Sequence, residues 1–142
     1  MLIGTVKQIW RHPVKSMAGE RLDQCTVSRL GIPGDRGWAL RDETNGEITN
    51  GKRITLLMQC SATYREEPGE DNIPPVEITF PDGTRVGSDE PNVNARLSEV
   101  LGKKVTLWPL QPATDRNHYR RKSATARIVG PLSRSKGFRS ML

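Results

Sequence analysis

Asn45-Gly46 constrains the fold of this chain more than any other pair of residues. Both residue types tolerate the positive φ that a tight hairpin turn needs, and a β-like segment lies on each side, Arg36–Asp42 before it and Glu47–Asn50 after. On the first of these, Trp38 and Leu40 are expected to face inward. A second hairpin obeys the same logic: Val76, Ile78 and Phe80 alternate with polar residues, Pro81-Asp82-Gly83-Thr84 turns, and Arg85-Val86 returns. Ile54, Leu56, Met58, Cys60 and Ala62 alternate through Ile54–Tyr64, so the spacing predicts one strand there. Ile3–Trp10 reads as the first strand, ended by Pro13, which cannot donate to a ladder. Glu20–Arg29 places Leu22 and Val27 on opposite parities, which predicts a bulge or a break. Val105 and Leu107 mark a last strand, with Trp108 on its other face.

One helix interrupts this pattern. Asp89-Glu90-Pro91 is expected to open it, with Asp89 accepting from free amides; Val93, Leu97, Val100 and Leu101 share one side, and Gly102 stops it. Gly and Pro together number 23 and only 35% of residues are hydrophobic, which fits many turns around a modest core. The sum is a mostly β fold: a small antiparallel or mixed β-barrel of seven or eight short strands, capped by one α-helix near residues 90–101.

The net charge of +6 is unevenly placed. Residues 1–110 are nearly balanced, whereas residues 111–142 carry eight basic residues and Asp115 as their one acid. This divides the chain into a domain at 1–110 and a basic, poorly ordered tail or shortened linker at 111–142. The tail cluster Arg116, Arg120, Arg121 and Lys122, with His118 and Tyr119, reads as a solvated charge run. A partner for it in nucleic acid or an acidic protein is the alternative, nucleic acid being the weaker one because no aromatic platform of RNA-binding spacing accompanies it. No apolar run is long enough for a membrane span and no secretory pattern opens the chain, so a cytoplasmic protein without a membrane partner is expected. Cys25 and Cys60 lack Cys-x-x-Cys spacing and read as small core residues, not as a disulfide or metal site. The three Trp fall on predicted strands; core packing is the first reading, stacking on a flat heterocycle the second.

Two runs carry the chemistry: His12-Pro13-Val14-Lys15-Ser16 and Gly31-Ile32-Pro33-Gly34-Asp35-Arg36-Gly37-Trp38. Lys15, Ser16 and Arg36 supply a mobile point charge, a hydroxyl and a bidentate fork, which together suit a small anionic ligand such as a phosphate. His12, Gly34 and Asp35 are accessory candidates: His12 as a donor, Gly34 for positive φ or close approach. The same residues also read as a solvated turn in which Asp35 pairs locally. No catalytic residue and no metal ligand is assigned. There is no Ser-His-Asp order, no His-x-x-x-His pair and no Walker-type loop.

These runs resemble a known family, the N-terminal β-barrel domain that precedes the MOSC domain in molybdenum cofactor sulfurases, mitochondrial amidoxime-reducing components and bacterial relatives. Ile9 to Ser16 is similar to the family's Tyr-Pro-x-Lys-Ser-like run, and Gly31 to Asp42 to its Leu-x-Gly-Asp-Arg-x-Trp strand. Gly19-Glu20-Arg21-Leu22, Lys52-Arg53 and the helix-then-strand segment Asn94 to Leu110 extend the likeness over residues 1 to about 110, and the match of Lys52-Arg53 to a basic position of the family's return strand implies Arg53 as a further accessory residue. The resemblance implies a module that recognises the molybdenum cofactor (molybdopterin), with Lys15, Ser16 and Arg36 on its phosphate and pterin and the site shared with a MOSC domain, here in trans. It also implies that family's associations with molybdenum ion, pyridoxal phosphate and carried sulfur. The family's reactive cysteine lies in the MOSC domain, and neither Cys25 nor Cys60 matches it, so the likeness is to the non-catalytic part and leaves enzymatic activity open.

Overall fold

The computed structural model describes residues 2–111 and 114–119. Eight short strands fall into three small antiparallel sheets. β1 (Ile9–Arg11) pairs with β2 (Glu20–Leu22). β3 (Trp38–Asp42) lies between β4 (Glu47–Ile48) and β8 (Val105–Pro109). β6 (Val76–Thr79) lies between β5 (Ser61–Tyr64) and β7 (Arg85–Gly87). Helix α1 (Val93–Leu101) packs on β7 and β8, and a short helix α2 (Arg116–Tyr119) packs on β4. None of the described helices is long and apolar enough to cross a membrane.

The turns form where their residue chemistry demands. Gly46 takes φ 73°, and the Asn45 side chain accepts from the Glu47 amide at 2.9 Å, closing the first hairpin. In the second, Gly83 takes φ 90° and Asp82 accepts from the Thr84 amide. α1 ends as expected on Gly102 in the left-handed region, φ 69°. Its start differs: Asn92, not Asp89, holds the cap position, and Asp89 instead pairs with Arg65. Val93, Leu97 and Leu101 are buried, and the Ser98 hydroxyl accepts from the Val105 amide, fastening the helix to β8. The core joins these side chains to Val14, Leu40, Leu57, Val76, Ile78, Phe80, Val86 and Val105.

Two strand expectations change, and a third, the break within Glu20–Arg29, holds. The first strand covers only Ile9–Arg11, because Ile3 and Val6 find no neighbouring strand and stay exposed. Glu20–Arg29 breaks after Leu22. Ile54–Tyr64 is not one strand: Thr55–Gln59 is a 3₁₀ turn that buries Ile54, Leu57 and Cys60 at three-residue steps and leaves Met58 64% exposed. Core packing holds for Trp38, whereas Trp10 and Trp108 are substantially exposed. Cys60 is fully buried and Cys25 only half so; both are free thiols. A solvated tail would leave His118 in water, yet it is buried against Trp108, ring to ring at 5.5 Å. Arg120, Arg121 and Lys122 lie outside the described residues.

The segment Pro13–Ala18 positions the site. On one flank the Trp38 amide donates to the Pro13 carbonyl and the Lys15 amide to the Trp38 carbonyl, both at 2.9 Å. On the other, the Ala18 amide donates to the Cys60 carbonyl at 2.9 Å and the Ala62 amide to the Ala18 carbonyl at 3.0 Å. These bridges tie the β3 sheet to the β5 sheet through one bend.

Candidate functional site

Ser16 and Arg36 are the described non-glycine residues with positive φ, at 72° and 51°. Side chains rarely adopt this region, and residues held in it concentrate where geometry serves a ligand. Both line one open cavity of about 710 Å³. The Ser16 hydroxyl oxygen accepts from the Gly51 amide at 3.0 Å, so its own hydrogen is left to donate. Asn50 and Lys52 come to the same cavity from the loop after β4. The Asn50 side-chain oxygen is taken by the amides of Lys52 and Arg53, at 3.0 and 3.2 Å, which leaves its NH₂ as the donor end. Met17 and Met58 add an apolar flank.

The turn that carries Arg36 is held from several sides. The Arg36 amide donates to the His12 carbonyl at 2.6 Å, and the His12 amide to the Asp35 carboxylate at 2.8 Å. The Tyr64 hydroxyl donates to the Gly34 carbonyl at 2.7 Å. Burial pushes the Tyr64 phenol well above its ordinary pKa, more than the nearby Arg11 charge pulls it down, so it stays a donor. Arg11 is itself buried. Burial opposes its charge, but hydrogen bonds and attraction from Glu67 and Glu20 outweigh that and raise its pKa. Its guanidinium also sits 5.1 Å from the centre of the Tyr64 ring.

The sequence candidates fall into place unequally. Ser16, Arg36 and His12 line the large cavity, His12 with its Nδ1 against the Met17 carbonyl at 3.1 Å. Lys15 does not: it lines a smaller cavity of about 370 Å³ next door. Arg36 and Asn50 line both, so Lys15 and Ser16, consecutive in sequence, serve adjoining compartments. Asp35 is the ion-pair partner of Arg36. Gly34 has positive φ, 85°, but the space a side chain would need there is filled by Pro68 and Tyr64, not left for a ligand. Arg53 reaches Glu47 at 3.5 Å, and its neighbour Lys52 lines the cavity. Nothing in their residue types marks Asn50, Gly51 and Met58; only the 3₁₀ turn and the Ser16–Gly51 bond bring them to the bend.

Chemically this is a place to bind, with cations, a hydroxyl and an amide facing a cavity that neither cysteine lines. Burial raises the Cys60 thiol above its ordinary pKa, which disfavours the thiolate. Among the described residues, no group of His, Cys, Asp and Glu is clustered to hold a metal ion.

Residues 3–114 match the family model of the MOSC N-terminal β-barrel domain, and the chain belongs to that family. It is 30% identical over 81 residues to mitochondrial amidoxime reducing component 2 of Bos taurus, an alignment covering 50% of this chain and 24% of that protein. The chain thus matches about a quarter of the length of that relative.

Proposed function

We propose that this MOSC N-terminal domain supplies the anion-gripping half of a molybdenum-cofactor site, completed by a MOSC domain. The observation that carries the reading is the convergence of the two left-handed residues, Ser16 and Arg36, on one open cavity that Lys52 and Asn50 also line. Strained side chains that share a ligand-sized space are worth their conformational cost when both contact the same group. The donor set fits the phosphate and polar edges of a pterin cofactor. Arg36 offers a fork, Ser16 a hydroxyl hydrogen, Asn50 an amide and Lys52 a mobile charge. Met17 and Met58 give a flat ring an apolar surface to lie on.

The residues of this chain bind and orient. Arg36 and Lys52 offset the ligand's charge, and the bond from Gly51 fixes the rotamer from which Ser16 donates. When bound, the molybdenum centre would supply redox or sulfur-transfer chemistry, and a soft thiolate ligand for it has to come from outside this cavity. The domain by itself is therefore read as a recognition module.

Titration of the full chain with isolated cofactor, or with a pterin phosphate, tests this. Charge-assisted hydrogen bonds contribute about 1.5–3 kcal/mol each, so Arg36→Ala/Lys52→Ala is expected to weaken binding by roughly tenfold or more. Equal affinity in wild type and double variant would sink the reading.

A further inference from the structure

The two cavities share a wall. Arg36 and Asn50 line both the large one and the smaller one, while Ser16 and Lys52 belong to the first and Lys15 to the second. The smaller cavity is otherwise lined by Ala39, Ile48 and Leu110, with Tyr119 from α2. Tyr119 has no hydroxyl to spare. That group accepts from the Gln111 amide at 2.9 Å and donates to the Gln111 carbonyl at 2.8 Å. Only its ring remains to be offered to the cavity.

A single phosphate bound by Ser16, Lys52 and one face of Arg36 leaves Lys15 and the Tyr119 compartment without a role. The guanidinium has five N–H donors in a plane, enough to serve an anionic group on each side. We propose that the site takes an organic diphosphate, with its two phosphoryl groups on either side of Arg36 and a flat ring carried into the Lys15–Tyr119 compartment. The ligand class is thus nucleotide-like: a diphosphate whose second organic group is a heterocycle. Lys15 selects the second phosphoryl group, and the ring of Tyr119 selects the heterocycle attached beyond it. This rests on the reading that the Ser16–Arg36 cavity receives a phosphate.

The experiment is calorimetric titration of the full chain, at one ionic strength, with inorganic phosphate, inorganic pyrophosphate and ADP. Wild type is expected to bind in the order ADP, pyrophosphate, phosphate, with about tenfold separating the ends, as for one additional charge-assisted contact. Lys15→Met keeps the stem and removes the charge; it is expected to weaken pyrophosphate and ADP several-fold and leave phosphate within twofold. Lys52→Met is expected to weaken all three alike. Tyr119→Leu is expected to cost ADP alone. The proposal is overturned if phosphate binds wild type but ADP binds no better. It is also overturned if Lys15→Met and Lys52→Met lower all three affinities in the same proportion, which would mean that charge alone is being read. If none of the three binds, the phosphate reading of the larger cavity fails as well, so the two failures are told apart.

Discussion

Arg36 is where stability and binding pull in opposite directions, and replacing it by Gly and by Ala separates them. Its φ is 51°, a region that costs an ordinary L-residue about 1–2 kcal/mol. Its side chain is 56% exposed, and its ion pair is with the adjacent Asp35, an arrangement that contributes little when solvated. Gly removes the steric cost but loses more freedom on folding, about 0.5–1 kcal/mol relative to Ala. The difference leaves Arg36→Gly more stable than Arg36→Ala by roughly 0.5–1 kcal/mol, the reverse of the order at a helix or strand position. For a chain of this size that is a separation of about 2–4 °C in Tm. Both variants lose the fork, so both are expected to bind phosphate or a pterin phosphate about tenfold more weakly or worse. Differential scanning calorimetry and titration on the same samples give both readings. Equal stability of the two variants would refute the claim that the backbone is held against its preference here. Undiminished binding by the Gly variant would refute the role of the side chain.

Three further outcomes are expected. Tyr64→Phe removes the hydroxyl that donates to the Gly34 carbonyl; it should cost about 1 kcal/mol in urea unfolding and also weaken phosphate binding, and a stability loss with unchanged affinity would reduce Tyr64 to a packing residue. Leu97→Ala opens a hole in the face of α1 that meets the core and should cost about 2–5 kcal/mol, seen as a large fall in Tm; a change under about one kcal/mol would mean that the helix is not part of the cooperative unit. Burial works to raise the pKa of Asp42, but hydrogen bonds from the Thr44 hydroxyl and amide, with attraction from Lys103 and Arg53, outweigh it and hold the carboxyl low. A depressed carboxylate stabilises the fold above its unfolded pKa of about 3.9 and loses that contribution as pH falls through the folded value. Urea midpoints measured from about pH 6 down to about pH 2.5 should therefore decline less steeply for Asp42→Asn than for wild type, and parallel curves would show that another group carries the acid sensitivity.

How much of this is legible in the sequence depends on the range over which each feature is decided. The Asn45-Gly46 and Asp82-Gly83 hairpins and the Gly102 stop rest on φ preferences of single residues, so they read directly. The Ile54–Tyr64 segment does not, for a reason visible in its numbers. Positions 54 and 60 satisfy both a two-residue and a three-residue period, and Leu56, Leu57 and Met58 are all apolar, so the pattern fits a strand and a 3₁₀ turn equally. Tertiary pairing decides it: the chain must turn before Ser61 to meet Ala18. In the site, residue type alone marks Lys15, Ser16 and Arg36. That Lys15 and Ser16 serve different compartments is not announced by residue type. Asn50 and Lys52 reach the bend through the Ser16–Gly51 hydrogen bond, a contact across 35 positions.

The same bend explains how two strained residues persist. Residues 12–15 and 35–38 are joined by four hydrogen bonds: Trp38 amide to Pro13 carbonyl, Lys15 amide to Trp38 carbonyl, Arg36 amide to His12 carbonyl, and His12 amide to the Asp35 carboxylate. At about 0.5–1.5 kcal/mol net each, they offset the roughly 1–2 kcal/mol that each left-handed residue costs. Three of the four use backbone alone, and the fourth uses Asp35. None involves the side chains of Lys15, Ser16 or Arg36. Asp35 joins this clamp to the grip, because the carboxylate that accepts from the His12 amide also pairs with the Arg36 guanidinium. The Lys15 side chain takes no part in the clamp, so it can be exchanged while the bend that presents it stays folded.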